Sequence, residues 1–334
     1  MGFIRGIEGN TLECVNILIM LITISYLMSF GLFSLALAKS GDLVTKALIK
    51  ISSFLNWKKF TVASLIMTVV SSLPEIFVGL SSTFHNKPQL SLGNVMGSNI
   101  IVLTLVIGIC GLIAKELNFR NKTIRRSSLY AAIISPLSLI LMLDGKLTRG
   151  DGIILMTALL FYFQQLLLQE KRFTKTISDI YNGQKKNSSV FFKQIGFLIG
   201  SIFLLLISAE GIVWSASKIA GELNTSLPII GLLLVALGTS APELSFGIRS
   251  ISKGHEEMML GDAIGSVVIN SAFVIGIMSI IRPFSIPNLS PHLISVCFTF
   301  VIALTFAIFA KTGHKISQKE SVFLIFLYVL FLLA

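Results

Sequence analysis

The stretch 71-SSLPEIFVGLSSTFHNKPQLSLGNVMGSN-99 decides the reading of this chain, because it sets a proline, a glutamate and several hydroxyls among apolar runs. A cognate stretch recurs as 239-TSAPELSFGIRSISKGHEEMMLGDAIGSVVIN-270. Displacing the sequence by 168 residues superposes Pro74-Glu75 on Pro242-Glu243 without a gap, and Gly97-Ser98 on Gly265-Ser266. Over residues 72–109 the copies share 14 identities in 38 positions. Greasy helices match by chance at Leu and Ile, but not at Pro, Glu, Gly and Ser with fixed separations. The chain is an internal duplication.

Working outward, the 334 residues are 54% hydrophobic and 13% charged, with mean hydropathy +0.85. Soluble domains carry about 25% charged residues, so the composition is that of an integral membrane protein. The charges fall between the apolar runs rather than in one block, which leaves no separate soluble domain. A net charge of +11 reads as basic residues flanking membrane spans, not as a nucleic-acid footprint. Cys14, Cys110 and Cys297 are far apart and show neither metal spacing nor a disulfide framework.

A spanning helix needs about 20 apolar residues. Ten such spans are expected near 12–38, 60–84, 90–114, 127–144, 150–169, 191–217, 227–250, 258–281, 289–310 and 317–334. Alternate connections, at 39–59, 115–126, 170–193, 249–257 and 311–319, hold 21 of the 27 Lys and Arg residues. Positive residues stay cytoplasmic, which puts both termini outside. Each copy of the duplication holds five spans, and an odd number reverses the polarity of the second copy. The expected fold is thus an all-α membrane protein of ten transmembrane helices in two inverted-topology repeats. The first repeat would occupy residues 1–170, a cytoplasmic connecting loop 171–190, and the second repeat 191–334. That architecture belongs to transporters with a binding site near the bilayer midplane.

The chemistry lies in the carboxylates. Of 16 acidic residues, Glu75 and Glu243 fall mid-span, where an ionised group costs roughly 2.5–3.5 kcal/mol on insertion scales. The four histidines, His85, His255, His292 and His314, lie in or near connections, so the counter-charge is most simply a bound cation. A proline removes one backbone donor: Pro74 frees the carbonyl of Val70, Pro242 that of Gly238, and the neighbouring carbonyls of Ser71 and Thr239 are loosened. Ser71 and Glu75, like Thr239 and Glu243, share a helix face at i, i+4. Carboxylates, carbonyls and hydroxyls are hard oxygen ligands suited to calcium and sodium. Gly93 and Gly97, spaced for close helix approach, are expected to press the third span against the Pro-Glu helix. Asp42, Glu210 and Asp262 read as residues near span ends, better suited to headgroup or loop pairing than to transport.

These motifs resemble those of the cation/calcium exchanger superfamily, specifically the sodium/calcium exchanger type without a large regulatory loop. The resemblance rests on 70-VSSLPE-75 with 93-GNVMGSN-99, and on 238-GTSAPE-243 with 261-GDAIGS-266. It implies that Glu75 and Glu243 are shared ligands of Ca²⁺ and Na⁺, and that the carbonyls of Ser71 and Thr239 complete the calcium site. It further implies sodium binding by the hydroxyls of Ser72, Ser240, Ser98 and Ser266, with carbonyls near Thr68 and Ala236. The family also has Asn or Asp four residues beyond each Gly-Ser serine. Asn270 fills that place in the second half, but Val102 stands there in the first. Asn99 would compensate only through a local irregularity of the helix. By the same resemblance, the first and sixth spans slide over the other helices.

The function expected is therefore Na⁺/Ca²⁺ antiport by alternating access at one carboxylate and hydroxyl site, with no cofactor. Cation/proton antiport is the alternative, since Val102 removes one ligand, and a non-transporting cation sensor stands behind it. An intramembrane enzyme is disfavoured, because no HExxH and no paired histidines occur within spans. The partners called are the two ions and the lipid bilayer.

Overall fold

The computed structural model describes residues 2–54, 68–119, 122–168, 188–286, 290–312 and 315–334. The described chain is mostly helical. In the first half, α1 is Gly2–Phe54, α2 Leu73–Phe84, α3 Pro88–Ile101, α4 Ile107–Ala114, α5 Lys122–Leu141 and α6 Arg149–Leu168. In the second, α7 is Ser188–Glu222, α8 Leu227–Ile230, α9 Ala236–Ser252, α10 Glu256–Val268, α11 Ile275–Ile281, α12 Ser290–Thr312 and α13 Gln318–Leu333. Pro74, Pro88 and Pro228 each stand in the first turn of a helix, where a missing N–H breaks no intrahelical bond.

Three helical runs pass through a π-helical segment: α3 into α4 at Val102–Val106, α8 into α9 at Gly231–Val235, and α10 into α11 at Ile269–Val274. Single π turns inside α-helices cluster at functional sites. Shifted by 168 residues, 102–106 falls on 270–274, so the first and third are repeat-matched.

Among the described residues, seven helical runs are long and apolar enough to cross a membrane: Met20–Leu48, Pro88–Ala114, Thr123–Leu141, Arg149–Leu168, Phe191–Glu222, Leu227–Ser252 and Glu256–Ile281. The expected ninth span holds a shorter apolar helix, Leu293–Phe309, and the expected tenth is α13, of 16 residues. The expected second span begins outside the described residues and is seen from Thr68 onward. Large apolar side chains such as Met28, Leu32, Leu35 and Phe203 lie exposed on the helix surfaces.

The end of α1 departs from expectation. The first span should stop near residue 38, yet the helix runs on unbroken to Phe54. The reason is periodicity: Leu37, Ser40, Val44, Ala47 and Ile51 are all buried and recur every three or four residues, which keeps one face packed. Charged residues between them made this stretch look like a connection.

The interior divides into two clusters. One joins Phe30, Leu37 and Val44 of α1 to Leu205, Ile212, Ala216 and Ile219 of α7, with Val78 and Leu90 at its border. The other gathers α3 to α6 and α9 to α13. The pairing of α1 with α7 is close, since Gly211 of α7 lies against the ring of Phe33.

Two short ribbons tie the halves together. Strand β1, Glu116–Asn118, pairs antiparallel with β4, Lys315–Ser317, in the register Leu117↔Ile316. Strand β2, Lys146–Leu147, pairs antiparallel with β3, Phe284–Ser285. A shift of 168 carries β1 onto β3 and the β2 position onto the start of β4, so the ribbons exchange under the duplication. The start of α10 lies beside β1, where Glu256 Oε2 accepts from the backbone N–H of Asn118 at 3.2 Å. The start of α3 lies beside β3, where Gln89 Nε2 donates to the carbonyl of Ser285 at 3.2 Å. Since β1 follows α4 and β3 follows α11, each helical run begins where the other ends. The two runs are antiparallel.

Candidate functional site

The two Pro-Glu motifs are built differently. In the first half the helix turns at Ser72 and restarts as α2, with Glu75 in its first turn. In the second, Pro242 lies inside α9 without breaking it. In both, the proline leaves a carbonyl, of Val70 or Gly238, without its i+4 donor.

Both glutamates are buried, Glu75 at 0% and Glu243 at 2% exposure. Ser98 Oγ donates to Glu75 Oε1 at 3.2 Å, and Ser266 Oγ donates to Glu243 Oε1 at 3.4 Å. The serines also cross between halves. Ser98 and Ser240 hydroxyls bond at 2.9 Å, and Ser72 Oγ donates to Ser266 Oγ at 3.3 Å. Asn270 Nδ2 donates to Ser98 Oγ at 3.2 Å. Glu75, Glu243, Ser72, Ser240, Ser98, Ser266 and Asn270 thus form one buried polar cluster.

The remaining sequence-derived candidates stand at its edge. Ser71 Oγ contacts Asp262 Oδ1 at 2.7 Å and the Thr68 carbonyl at 3.0 Å. Thr239 Oγ1 contacts Asn94 Oδ1 at 3.0 Å and the Ala236 carbonyl at 3.4 Å. The Ser71 hydroxyl is thus engaged with Asp262, while that of Thr239 lies between Asn94 and the Glu75 carboxylate, and both residues also present their backbone carbonyls. The Thr68 carbonyl accepts from the Ser72 N–H at 3.3 Å as well as from Ser71 Oγ, and the Ala236 carbonyl accepts from Thr239 Oγ1.

Four buried oxygens in this region lack a hydrogen-bond partner: Glu75 Oε2, Glu243 Oε2, Asn270 Oδ1 and Asn99 Oδ1. An unpaired buried polar atom costs about 1–3 kcal/mol, and more when charged. All four are hard acceptors of the type that Ca²⁺ and Na⁺ take.

Val102 is fully buried and opens the π segment. The irregularity that Asn99 would need is therefore present immediately after it. Asn99 is 2% exposed and its Nδ2 donates to Ser271 Oγ at 2.7 Å, next to Asn270.

The closeness expected of Gly93 and Gly97 is real, but its partner differs. A Cβ on Gly93 would strike the Pro228 carbonyl, and one on Gly97 the Leu232 carbonyl and Ala236 Cβ. These glycines press α3 against the run that carries Pro242-Glu243, the motif of the opposite half, rather than against their own. Gly231 answers from the other side, where a Cβ would meet the Leu90 carbonyl.

Reading Asp262 as a span-end residue is corrected: it is 6% exposed and bonded to Ser71. The signal was available, because the 168-residue shift maps Asn94 onto Asp262 and Ser71 onto Thr239. The contacts Asn94–Thr239 and Asp262–Ser71 are thus one repeat-related pair. Asp42 and Glu210 pair near chain connections, as expected: Asp42 with Arg249 at 3.0 Å and Glu210 with His85 at 3.5 Å.

Comparison with known proteins gives the family of the chain. The family model described as sodium/calcium exchanger protein matches residues 25–167 and 193–334. The putative antiporter CaxA of Alkalimonas amylolytica is 28% identical over 246 residues, covering 73% of this chain and 77% of that one. The sodium/calcium exchanger MaX1 of Methanosarcina acetivorans is 24% identical over 377 residues, covering 95% and 97%. Among solved structures, the sodium-calcium exchanger NCX_Mj superposes with a TM-score of 0.65 at 24% identity, covering 93% of this chain and 99% of that one. The H⁺/Ca²⁺ exchanger CAX superposes with a TM-score of 0.75 at 16% identity, covering 94% and 85%. At these identities the solved structures carry the fold alone. The family match spans both halves and both motifs, and the chain belongs to the sodium/calcium exchanger protein family, whose members are membrane ion exchangers and not enzymes.

Proposed function

We propose that this protein is a secondary antiporter that exchanges Na⁺ for Ca²⁺ by alternating access at the cluster around Glu75 and Glu243. The observation that carries the reading is the pair of buried carboxylates at repeat-matched positions, each with one oxygen unpartnered. Their side-chain hydrogen-bond partners are neutral hydroxyls, of Ser98 and Thr239 for Glu75 and of Ser266 for Glu243. Two carboxylates neutralise one Ca²⁺ or are shared among several Na⁺, so the ions compete for overlapping oxygens. The ligand set is Glu75 and Glu243, the hydroxyls of Ser72, Ser98, Ser240 and Ser266, the Asn270 amide, and the carbonyls of Ser71, Thr239, Thr68 and Ala236.

The architecture that goes with this is ten spans in inverted repeats, 1–170 and 191–334, joined by the loop 171–190, with both termini outside. The antiparallel α3–α4 and α10–α11 runs and the exchanged ribbons support the inversion. The packing of α1 on α7 as a separate cluster supports movement of the first and sixth spans against the rest.

The decisive measurement is ⁴⁵Ca²⁺ uptake into proteoliposomes under an outward Na⁺ gradient, compared with a pH gradient at fixed Na⁺. Uptake should follow the Na⁺ gradient; uptake driven by pH alone would replace Na⁺ by H⁺ as the coupling ion. The proton reading has one specific observation in its favour, the buried Val102 where the family pattern has a polar residue. Absence of uptake under both gradients would leave a cation-binding protein that does not transport.

Val102 also yields a residue-level expectation. Val102→Asn should change the Na⁺ concentration dependence of exchange several-fold while leaving Ca²⁺ affinity within about twofold, because an amide oxygen is a weak neutral ligand beside two carboxylates. An unaltered Na⁺ response would take position 102 out of the site.

A further inference from the structure

Three acidic side chains are buried among the described residues: Glu75, Glu243 and Asp262. The glutamates form the site, and Asp262 has no part in it so far. Its Oδ1 accepts from Ser71 Oγ at 2.7 Å. The hydroxyl of Ser71 has one proton, shared between Asp262 and the Thr68 carbonyl. None of the ion pairs recorded among the described residues involves Asp262.

Its position follows from the antiparallel helices. Asp262 lies four residues before Ser266 on α10, about 6 Å of helix rise, toward the face where α10 begins beside β1. Asn94 lies four residues before Ser98 on α3, displaced equally toward the face where α3 begins beside β3. The two residues are repeat-matched, both accept from a motif hydroxyl, and they flank the glutamates on opposite sides. Their side chains have the same shape and differ in charge. Among the described residues no three His, Cys, Asp or Glu side chains form a group that could hold one ion.

We propose that Asp262 is a one-sided cation station. On the approach from the face bearing residues 253–255 it receives a hard divalent cation, and the glutamate pair next accepts that ion. The neutral Asn94 gives the opposite approach no such station. The two faces of a pseudosymmetric exchanger then differ in apparent affinity, with the tighter face at 253–255, which the charge bias assigns to the cytoplasm. The inference rests on the exchanger reading and adds to it a specificity residue that lies within the 261–266 motif but outside the ligand set proposed above. A buried carboxylate on an entry path raises local cation concentration and entry rate; a neutral amide of the same shape does not.

The test uses right-side-out and everted membrane vesicles of the full-length protein, varying Ca²⁺ at the outward-facing surface of each. Asp262→Asn should raise the half-saturating Ca²⁺ about five- to tenfold at the 253–255 face, with less than a twofold change at the other. The converse variant, Asn94→Asp, should lower the half-saturating Ca²⁺ at the opposite face, which keeps the inference testable if Asp262→Asn fails to accumulate. Equal shifts at both faces, or none at either, would overturn the station while leaving the exchanger reading intact. A wild-type protein that moves no Ca²⁺ at either face would remove the exchanger reading, and the station with it.

Discussion

Glu243→Gln should reduce Ca²⁺ flux to background without unfolding the protein. The glutamate is 2% exposed, its Oε1 accepts from Ser266 Oγ at 3.4 Å, and its Oε2 has no partner. Glutamine keeps the shape and the acceptor that Ser266 uses, so the packing of α9 on α10 survives. What it removes is one of two negative charges from the proposed Ca²⁺ site. Ligand charge count sets Ca²⁺ affinity in oxygen sites, and the loss should be at least about 100-fold, or about 2.7 kcal/mol. Stability should hold or rise, because a buried charge without a fixed counter-charge is costly to the fold. Purified protein of both kinds should therefore melt at similar temperatures without Ca²⁺, and the wild type alone should be stabilised by adding it. If the variant still carried Ca²⁺ at a comparable rate, Glu243 would not be a ligand. The matched variant Glu75→Gln should behave alike.

The residues that carry this prediction stood out in the sequence for a physical reason. A carboxylate next to a proline in an apolar run is expensive twice over, and its recurrence after 168 residues makes chance an implausible cause. Contacts between halves were not readable in the same way. That Ser98 bonds Ser240 and Ser72 bonds Ser266 depends on how two antiparallel helices meet, which no local pattern encodes. The same holds for Gly93 and Gly97, whose spacing announced a close approach but not its partner. Asp262 was missed because its repeat counterpart Asn94 is neutral, so the duplication did not mark it as a charged pair in the way it marks the two glutamates. Its burial comes from packing against the second span.

The extent of α1 was hidden by the opposite effect. Lysines, a glycine and an aspartate within 39–54 mimic a loop, yet apolar or small residues still recur at helical spacing and bury. Composition averaged over a window loses that phase. The π segments were likewise invisible, since 102-VLTLV-106 reads as ordinary apolar helix. They matter to the site because the repeat-matched segments start at Val102 and beside Asn270, the matched pair that is apolar in one half and polar in the other.

Gly97→Ala should cost both stability and transport, from the addition of a single methyl group. A Cβ at position 97 would overlap the backbone carbonyl of Leu232 and come within 2.6 Å of Ala236 Cβ. The carbonyl belongs to the π segment Gly231–Val235, so relief requires moving a helix rather than turning a side chain. Overpacking of this kind costs about 1–3 kcal/mol, and close small-residue contacts are what hold helices together where no hydrophobic drive acts between them. The functional loss comes from the neighbour. Ser98 follows Gly97 and holds Ser240 at 2.9 Å, Glu75 at 3.2 Å and Asn270 at 3.2 Å. Separating α3 from the opposite run by even about 1 Å takes the Ser98–Ser240 contact beyond hydrogen-bond range. Gly196→Ala and Gly200→Ala provide the control, because a Cβ at either position of α7 meets nothing within 4 Å. The Gly97 variant should melt several degrees below the wild type in detergent and lose most Ca²⁺ flux, while both controls should match the wild type. A Gly97→Ala protein with unchanged melting and flux would mean that the close crossing of α3 over 228–236 does not hold the site together.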